Sequence, residues 1–206
     1  AKSWLQECIS SHKSRCGKSA TRATSMSLID CTTKTNVEAD TSSRWIALSY
    51  VWGDRLQTTM PAAETNLYVG ARLPSTLPRT VEDAIVVTRQ LGYRFLWVDE
   101  YCIDQQNKHK QHIQISQMDE VYRGADLTIV AATGEGKNHG LPGVNKTRRR
   151  RLNVVRLKDV TLLANSQSAP SHIWDARWFT RAWTLQEGLL SRRVLLFTNH
   201  QAAYYC

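Results

Sequence analysis

Four short apolar runs constrain the fold of this chain more than any other feature of its sequence. They occupy residues 46–51, 95–98, 127–132 and 194–197. Each run is almost continuous in hydrophobicity rather than alternating, which is typical of strands that are buried on both faces of a parallel sheet. Hydrophobic residues make up 42% of the chain, which is enough for a sizeable core.

Segments with a helical period separate the first three runs. Residues 80–91 begin with a capping-box-like pattern, Thr80-x-x-Asp83, and stop before Gly92. Residues 108–125 repeat apolar side chains at spacings of three and four. Because crossovers between parallel strands are right-handed, this alternation predicts a doubly wound α/β domain, with a mainly parallel sheet and helices on both faces.

The rest of the chain is interpreted around that core. Residues 1–44 are polar and predict an extension packed on the domain, with a helix from Trp4 to about Cys16 and a strand near 26–31. The α/β domain then covers residues 45–206. Within it, residues 133–172 predict an insertion that contains a hairpin around Lys158 and Asp159.

The last part of the domain predicts a helix and two strands. Residues 179–190 have a helical pattern, and the fourth apolar run follows them. Residues 202–205 are expected to add a strand at the edge of the sheet.

Composition excludes several classes of protein. The net charge of +9 falls mostly in residues 145–158, which hold seven basic and no acidic residues. One basic run without a reading motif is typical of a solvated loop, so no nucleic acid is expected as a partner. No apolar stretch approaches the ~18 residues of a membrane span. The five cysteines form no CxxC pair and favour a reducing, cytoplasmic compartment.

Cys8, His12 and Cys16 resemble a set of metal ligands in type and spacing. If one helix carries all three, Cys8 and Cys16 lie about 12 Å apart along its axis. Zinc–ligand bonds measure only about 2.0–2.3 Å, so the three side chains are not expected to share an ion. The sequence therefore predicts no metal site.

Ligands of open α/β sheets bind beyond the carboxyl ends of the strands. After the first run, the candidates for substrate contact are Ser49, Tyr50, Trp52, Gly53 and Asp54. A glycine permits close backbone approach to a ligand, and Trp52 either stacks on a base or closes the end of the core.

The second run is followed by two acids and a cysteine. Asp99 and Asp104 either face one cleft, as ligand or general base, or anchor the loop through backbone hydrogen bonds. Cys102 is a candidate for ligand contact, because a thiol near His109 or His112 can act as a nucleophile. The alternative for Cys102 is a small buried hydrophobe.

Three sequence blocks resemble the hallmark blocks of the HET (heterokaryon incompatibility) family of filamentous fungi. They are residues 46–54 (IALSYVWGD), 96–105 (LWVDEYCIDQ) and 178–187 (WFTRAWTLQE). This chain departs from the second block at Glu100, where a small residue is usual. The resemblance implies an effector of fungal programmed cell death.

HET domains have been argued to be distant relatives of TIR domains, which have a flavodoxin-like sheet. TIR enzymes that cleave NAD carry a glutamate in the helix after the third strand, a place that Glu187 occupies here. The resemblance implies Glu187 as the catalytic residue, with Trp183 one turn away and Arg181 nearby as substrate contacts. The alternative is a solvated glutamate paired with a neighbouring arginine.

The same resemblance implies that NAD, or a related nucleotide, is a substrate and that no cofactor is needed. It also implies a homo-oligomer in the active state, because TIR-like enzymes often complete their site across a subunit contact. The alternative is a non-catalytic signalling module that triggers death by self-assembly or by binding other proteins.

Overall fold

A seven-stranded sheet lies at the centre of the computed structural model, which describes residues 1–17, 26–40, 42–53, 68–150, 154–163 and 176–206. In chain order the strands are β1 (Ser27–Asp30), β2 (Thr35–Glu38), β3 (Trp45–Ser49), β4 (Phe95–Trp97), β5 (Leu127–Ala131), β6 (Val154–Leu157), β7 (Val160–Leu163), β8 (Val194–Phe197) and β9 (Ala202–Tyr205).

The four predicted apolar runs form the parallel centre of this sheet. The strand order is β2-β1-β4-β3-β5-β8-β9, and the pairs β4–β3, β3–β5 and β5–β8 are parallel. Strands β1, β2 and β9 are antiparallel to their neighbours at the two edges. The prediction of an α/β fold with a mostly parallel central sheet is confirmed.

Burial explains why these runs are continuously apolar. Every residue of β3 and of β5 is buried, because both strands have a neighbour on each side and are covered on each face. Strand β9 is only half-buried, as expected for an edge. The predicted hairpin is present as β6 and β7, which pair with each other and turn at Lys158 and Asp159.

Seven helices are described with the sheet: α1 (Lys2–Ser11), α2 (Lys13–Cys16), α3 (Arg79–Gln90), α4 (Asp99–Cys102), α5 (Lys108–Ser116), α6 (Met118–Gly124) and α7 (Ala182–Leu190). Two predicted helices are each divided in two. The first breaks at His12, where φ is −107° and ψ is 30°, and the second at Gln117. Within the described residues, no helix is both long and apolar enough to cross a bilayer.

The capping box predicted at the start of α3 is wrong. Pro78 occupies the cap position, so Thr80 already lies inside the helix. Instead, Thr80 Oγ1 accepts a hydrogen bond from the Gly140 N–H at 3.0 Å, and Asp83 Oδ2 accepts one from the Leu141 N–H at 2.9 Å. The two side chains therefore fix the loop that follows β5, not the end of their own helix.

The N-terminal segment contributes to the sheet as well as packing on it. The predicted strand near residues 26–31 is present as β1, which pairs with β4. Strand β2 was not predicted from the sequence, because its residues (TNVE) are mostly polar and only Asn36 is fully buried.

Candidate functional site

A buried carboxylate lies where the order of the parallel strands reverses. From β3 the chain proceeds to β4 on one side, whereas β5 lies on the other side of β3. Ser49 ends β3 at this point, and Glu187 reaches it from α7. Ser49 Oγ donates a hydrogen bond to Glu187 Oε2. The crevice at such a reversal is where open α/β sheets bind their ligands.

Trp178 fixes the orientation of this serine. Its indole Nε1 donates a hydrogen bond to Ser49 Oγ at 2.7 Å, so the serine hydrogen is left to point at Glu187. Trp178 and Ser49 are both buried. Trp178 lies in a family block but was not predicted as a site residue, because the sequence alone does not show which of its tryptophans turns toward Ser49.

Burial makes Glu187 an unusual acid. Only 6% of the residue is exposed, and loss of hydration raises the pKa of its carboxyl. Hydrogen bonds from Ser49 and Tyr122, together with the positive charge of Arg181, act in the opposite direction. The carboxylate is thus removed from water and fixed by hydrogen bonds. Acids with pKa values perturbed in this way are enriched at functional sites.

Asp99 is the second acid of the site. Its carboxylate accepts hydrogen bonds from Trp52 Nε1 at 3.0 and 3.1 Å and from the Glu100 N–H at 2.7 Å. Burial, and next the negative charge of Glu187, raise the pKa of Asp99 to about 8. Near neutral pH Asp99 is therefore mostly protonated, so its carboxyl can donate a hydrogen bond as well as accept one.

Behind Asp99 lies a buried ion pair that the sequence analysis missed. Glu100 Oε2 accepts a hydrogen bond from Tyr50 Oη at 2.8 Å, and Glu100 Oε1 lies 2.5 Å from Lys137 Nζ. Lys137 comes from the glycine-rich loop after β5. The sequence did mark one partner of this pair, because Glu100 stands where the second HET block usually has a small residue.

The loop of Lys137 is pressed against the turn after β3. A Cβ at Gly136 would lie 3.1 Å from the Gly53 Cα, so a side chain there would push the two loops apart. Gly53 has φ of +91°, a conformation that other residues rarely adopt. Trp52, which precedes this glycine, is the residue of the turn that contacts Asp99, and Asp54 lies outside the described residues.

Two of the predicted site residues make their hydrogen bonds with groups other than the two acids. The Asp104 carboxylate accepts hydrogen bonds from the N–H groups of Gln106 and Asn107, each at 3.0 Å, so it anchors its own loop. Cys102 is buried in the core, and burial raises the pKa of its thiol to about 12. That placement supports the alternative of a buried hydrophobe.

Helix α7 presents the neighbours of Glu187 differently from expectation. Trp183 is 54% exposed, so it does not share the buried environment of Glu187. Thr184 faces inward in its place and donates hydrogen bonds to the carbonyls of Trp178 and Arg181. Arg181 immediately precedes the helix and contributes its charge to the site.

Comparison with known proteins identifies the class. The sequence model of the family described as Heterokaryon incompatibility protein (HET) matches residues 45–187, a span that contains Ser49, Asp99 and Glu187. The chain therefore belongs to the HET family.

One curated relative is the Heterokaryon incompatibility protein 6, OR allele, of Neurospora crassa. It is 31% identical over 93 residues, which are 42% of this chain and 14% of that protein. The match thus spans a small part of the relative's length. No solved structure matches the chain.

Proposed function

We propose that this chain is a cell-death effector domain of the fungal incompatibility type and that its site hydrolyses the bond between ribose and nicotinamide in NAD. The membership of the HET family and the name of the Neurospora relative support the biological role. The buried Glu187 carboxylate at the reversal of the strand order supports the chemistry.

The reaction needs an anion beside a developing cation. As the C–N bond breaks, its electron pair leaves on the nicotinamide nitrogen and the ribose acquires oxocarbenium character. A fixed carboxylate stabilises that charge without reorganising. A water oxygen then bonds to the same ribose carbon and releases a proton, which gives ADP-ribose. In this proposal Glu187 is the anion, and Ser49 keeps it in place.

Asp99 has a separate role in this scheme. If Glu187 is the anion, a protonated Asp99 beside it can serve as the hydrogen-bond donor of the same site. A protonated Asp99 donates a hydrogen bond to a ribose hydroxyl, while the adjacent Trp52 offers an aromatic face to a base or to the nicotinamide ring.

The topology supports the finer part of the proposal, a TIR-like architecture. The parallel strands, numbered along the chain, lie in the order second, first, third, fourth, which is the flavodoxin order. Right-handed crossovers place α3 and α7 on opposite faces of such a sheet. Glu187 lies on the helix after the third parallel strand, where NAD-cleaving TIR domains are expected to carry their glutamate.

A second candidate function is assembly without catalysis. Helix α7 exposes Trp183 by 54% and Leu189 by 74%, and the β6–β7 hairpin exposes Val155, Leu157, Val160 and Leu162. Exposed apolar groups of this kind are typical of surfaces that bind other proteins. Self-association is also compatible with the enzyme, which would then be active as a homo-oligomer.

The decisive experiment incubates the purified chain with NAD and measures released nicotinamide. Glu187→Gln is expected to lower the rate by about 100-fold or more, because it removes the anion but keeps the shape. Glu82→Gln, an exposed acid on α3, is the matched control and should retain the full rate. Circular dichroism and thermal melting confirm that both variants fold.

The outcomes separate the two candidates. Equal rates for wild type and Glu187→Gln would make Glu187 a structural residue and end its catalytic assignment. No release by wild type, even at concentrations where it forms oligomers, would favour the assembly function.

A further inference from the structure

Four side chains of the types that can bind a metal converge at the end of the sheet opposite Glu187. The ligand atoms of Cys8, His12, Cys16 and Cys206 all lie within 4.8 Å of one another. Cys8 lies on α1, His12 lies at the break before α2, Cys16 ends α2, and Cys206 follows β9. The nearby Arg193 directly precedes β8, which places the group at the amino ends of the parallel strands.

The break between α1 and α2 makes this convergence possible. On one continuous helix, Cys8 and Cys16 would lie about 12 Å apart along the axis. The chain instead leaves the helical conformation at His12, and α2 turns Cys16 back toward Cys8. His12 Nδ1 then lies 3.3 Å from Cys206 Sγ, a contact between residues 194 positions apart. The axial separation of Cys8 and Cys16 expected for one helix is therefore absent, and all of these ligand atoms lie within 4.8 Å of one another.

We propose that Cys8, His12, Cys16 and Cys206 form a structural zinc site. Three thiolates and one imidazole are a common ligand set for closed, four-coordinate zinc. Zinc–sulfur bonds of about 2.3 Å and zinc–nitrogen bonds of about 2.0 Å place tetrahedral ligand atoms roughly 3.5–3.8 Å apart. The four side chains are near that arrangement without any change of backbone path.

The surroundings provide the positive charge that such a site needs. Three thiolates exceed the charge of one Zn²⁺ by a single negative unit. Arg193, only 5% exposed, donates from Nε to Cys8 Sγ at 3.1 Å and from Nη2 to the Cys16 carbonyl at 2.6 Å. Its Nη1 is held by the Asp126 carbonyl at 3.1 Å. Partners of this kind orient metal ligands and tune their affinity.

The ligand set and the location indicate structure rather than catalysis. With four protein ligands the zinc has no open position for water or substrate. The ion would join α1 and α2 to the edge strand β9. A disulfide is the competing use of these thiols, but it joins only two of the three cysteines and leaves His12 without a role.

The test uses the whole chain, purified from zinc-supplemented cells without chelators. Elemental analysis should find about one zinc per chain. Replacement by Co²⁺ should give the visible bands of tetrahedral cobalt and a near-ultraviolet thiolate band. His12→Ala is expected to weaken zinc binding at least about tenfold, and Cys206→Ser likewise. His109→Ala, which alters an exposed histidine of α5, is the matched control and should bind zinc normally.

Three results would overturn the proposal. They are a folded wild type that takes up neither zinc nor cobalt, a His12→Ala variant that binds zinc as tightly as His109→Ala, and a mass 2 Da lower that reveals a disulfide among these cysteines. Because His12 is exposed, its variant should fold even if Cys8→Ser does not.

Discussion

At the scale of single residues, the site depends on carboxyl groups that water cannot reach freely. Ser49, which accepts a hydrogen bond from Trp178, donates to Glu187, and Trp52 donates to Asp99, so each acid has its own donor. Without these donors the buried oxygens would lose about 1–3 kcal/mol of hydrogen bonding each. The same desolvation shifts the pKa values of these acids, so the pH dependence of the free energy of unfolding reports their protonation.

Asp99 should make the folded protein less stable as the pH rises. Its pKa is about 8 in the folded chain against an ordinary value of 3.8, so between these values the folded state binds the extra proton. The free energy of unfolding therefore decreases from about pH 4 to pH 8. The stabilisation that Asp99 contributes through its raised pKa is fully present only below about pH 4. In Asp99→Asn this loss between pH 5 and pH 8.5 should shrink by about 1 kcal/mol or more, as measured by urea denaturation.

Glu82→Gln, which changes an exposed acid, controls for general charge effects and should follow wild type. If wild type and Asp99→Asn lose stability in parallel across this range, Asp99 titrates as an ordinary carboxyl in the folded chain.

Sequence predicts acids and small polar residues of the site better than its aromatic frame. Ser49, Asp99 and Glu187 were selected because they follow strands or lie in a family block, and the structure brings them together. Trp178 and Trp183 occupy the same block, yet only the first is buried. Which tryptophan turns inward depends on where α7 begins, and that depends on packing rather than on spacing.

At the scale of elements, one buried acid connects α3 to the loop after β5. Besides the Leu141 N–H, the Asp83 carboxylate accepts hydrogen bonds from Thr147 Oγ1 at 2.6 Å and Asn145 Nδ2 at 2.8 Å. The same loop carries Lys137, which pairs with Glu100 behind the site. Asp83 thus links a helix on one face of the sheet to the loop that borders Asp99.

Asp83→Asn should loosen this loop while the rest of the domain remains folded. The amide of asparagine cannot accept at the position of one carboxylate oxygen, so a buried donor loses its partner at a cost of about 2 kcal/mol. Hydrogen exchange at Leu141 should accelerate, while exchange in β3 and β5 changes only as much as the global stability does. The neighbouring Glu82→Gln is again the control, and an unchanged rate at Leu141 would contradict this anchoring role.

The elements themselves were predictable to different degrees. Continuous apolar runs identified all four parallel strands, because burial on both faces leaves no place for polar residues. The breaks at His12 and Gln117 were not predicted, since neither position carries a proline or glycine. Helix propensity alone therefore does not locate either break, because tertiary context routinely overrides it.

At the scale of the whole molecule, the sheet extends beyond the region that the family model matches. The match begins at residue 45, but β1 and β2 precede it and β1 covers the edge of β4. Leu28 and Ile29 of β1 are fully buried, and each contributes about 1.5–3 kcal/mol by leaving water. Since a domain is stable by only about 5–15 kcal/mol, the first strand pair accounts for a large share.

Two truncated chains should therefore behave differently. A chain of residues 26–206 loses α1 and α2, which bury mainly Leu5, Cys8 and Cys16, and should still unfold cooperatively at a lower temperature. A chain of residues 44–206 also loses β1 and β2, so it exposes the edge of β4 and the apolar surface beneath Leu28 and Ile29. Exposed edges of this kind pair with other chains. We expect this second chain to bind a hydrophobic dye, to aggregate and to lack a cooperative melting transition. If it instead melts cooperatively within a few degrees of the first, residues 1–44 are an accessory extension, and the domain is complete from residue 45.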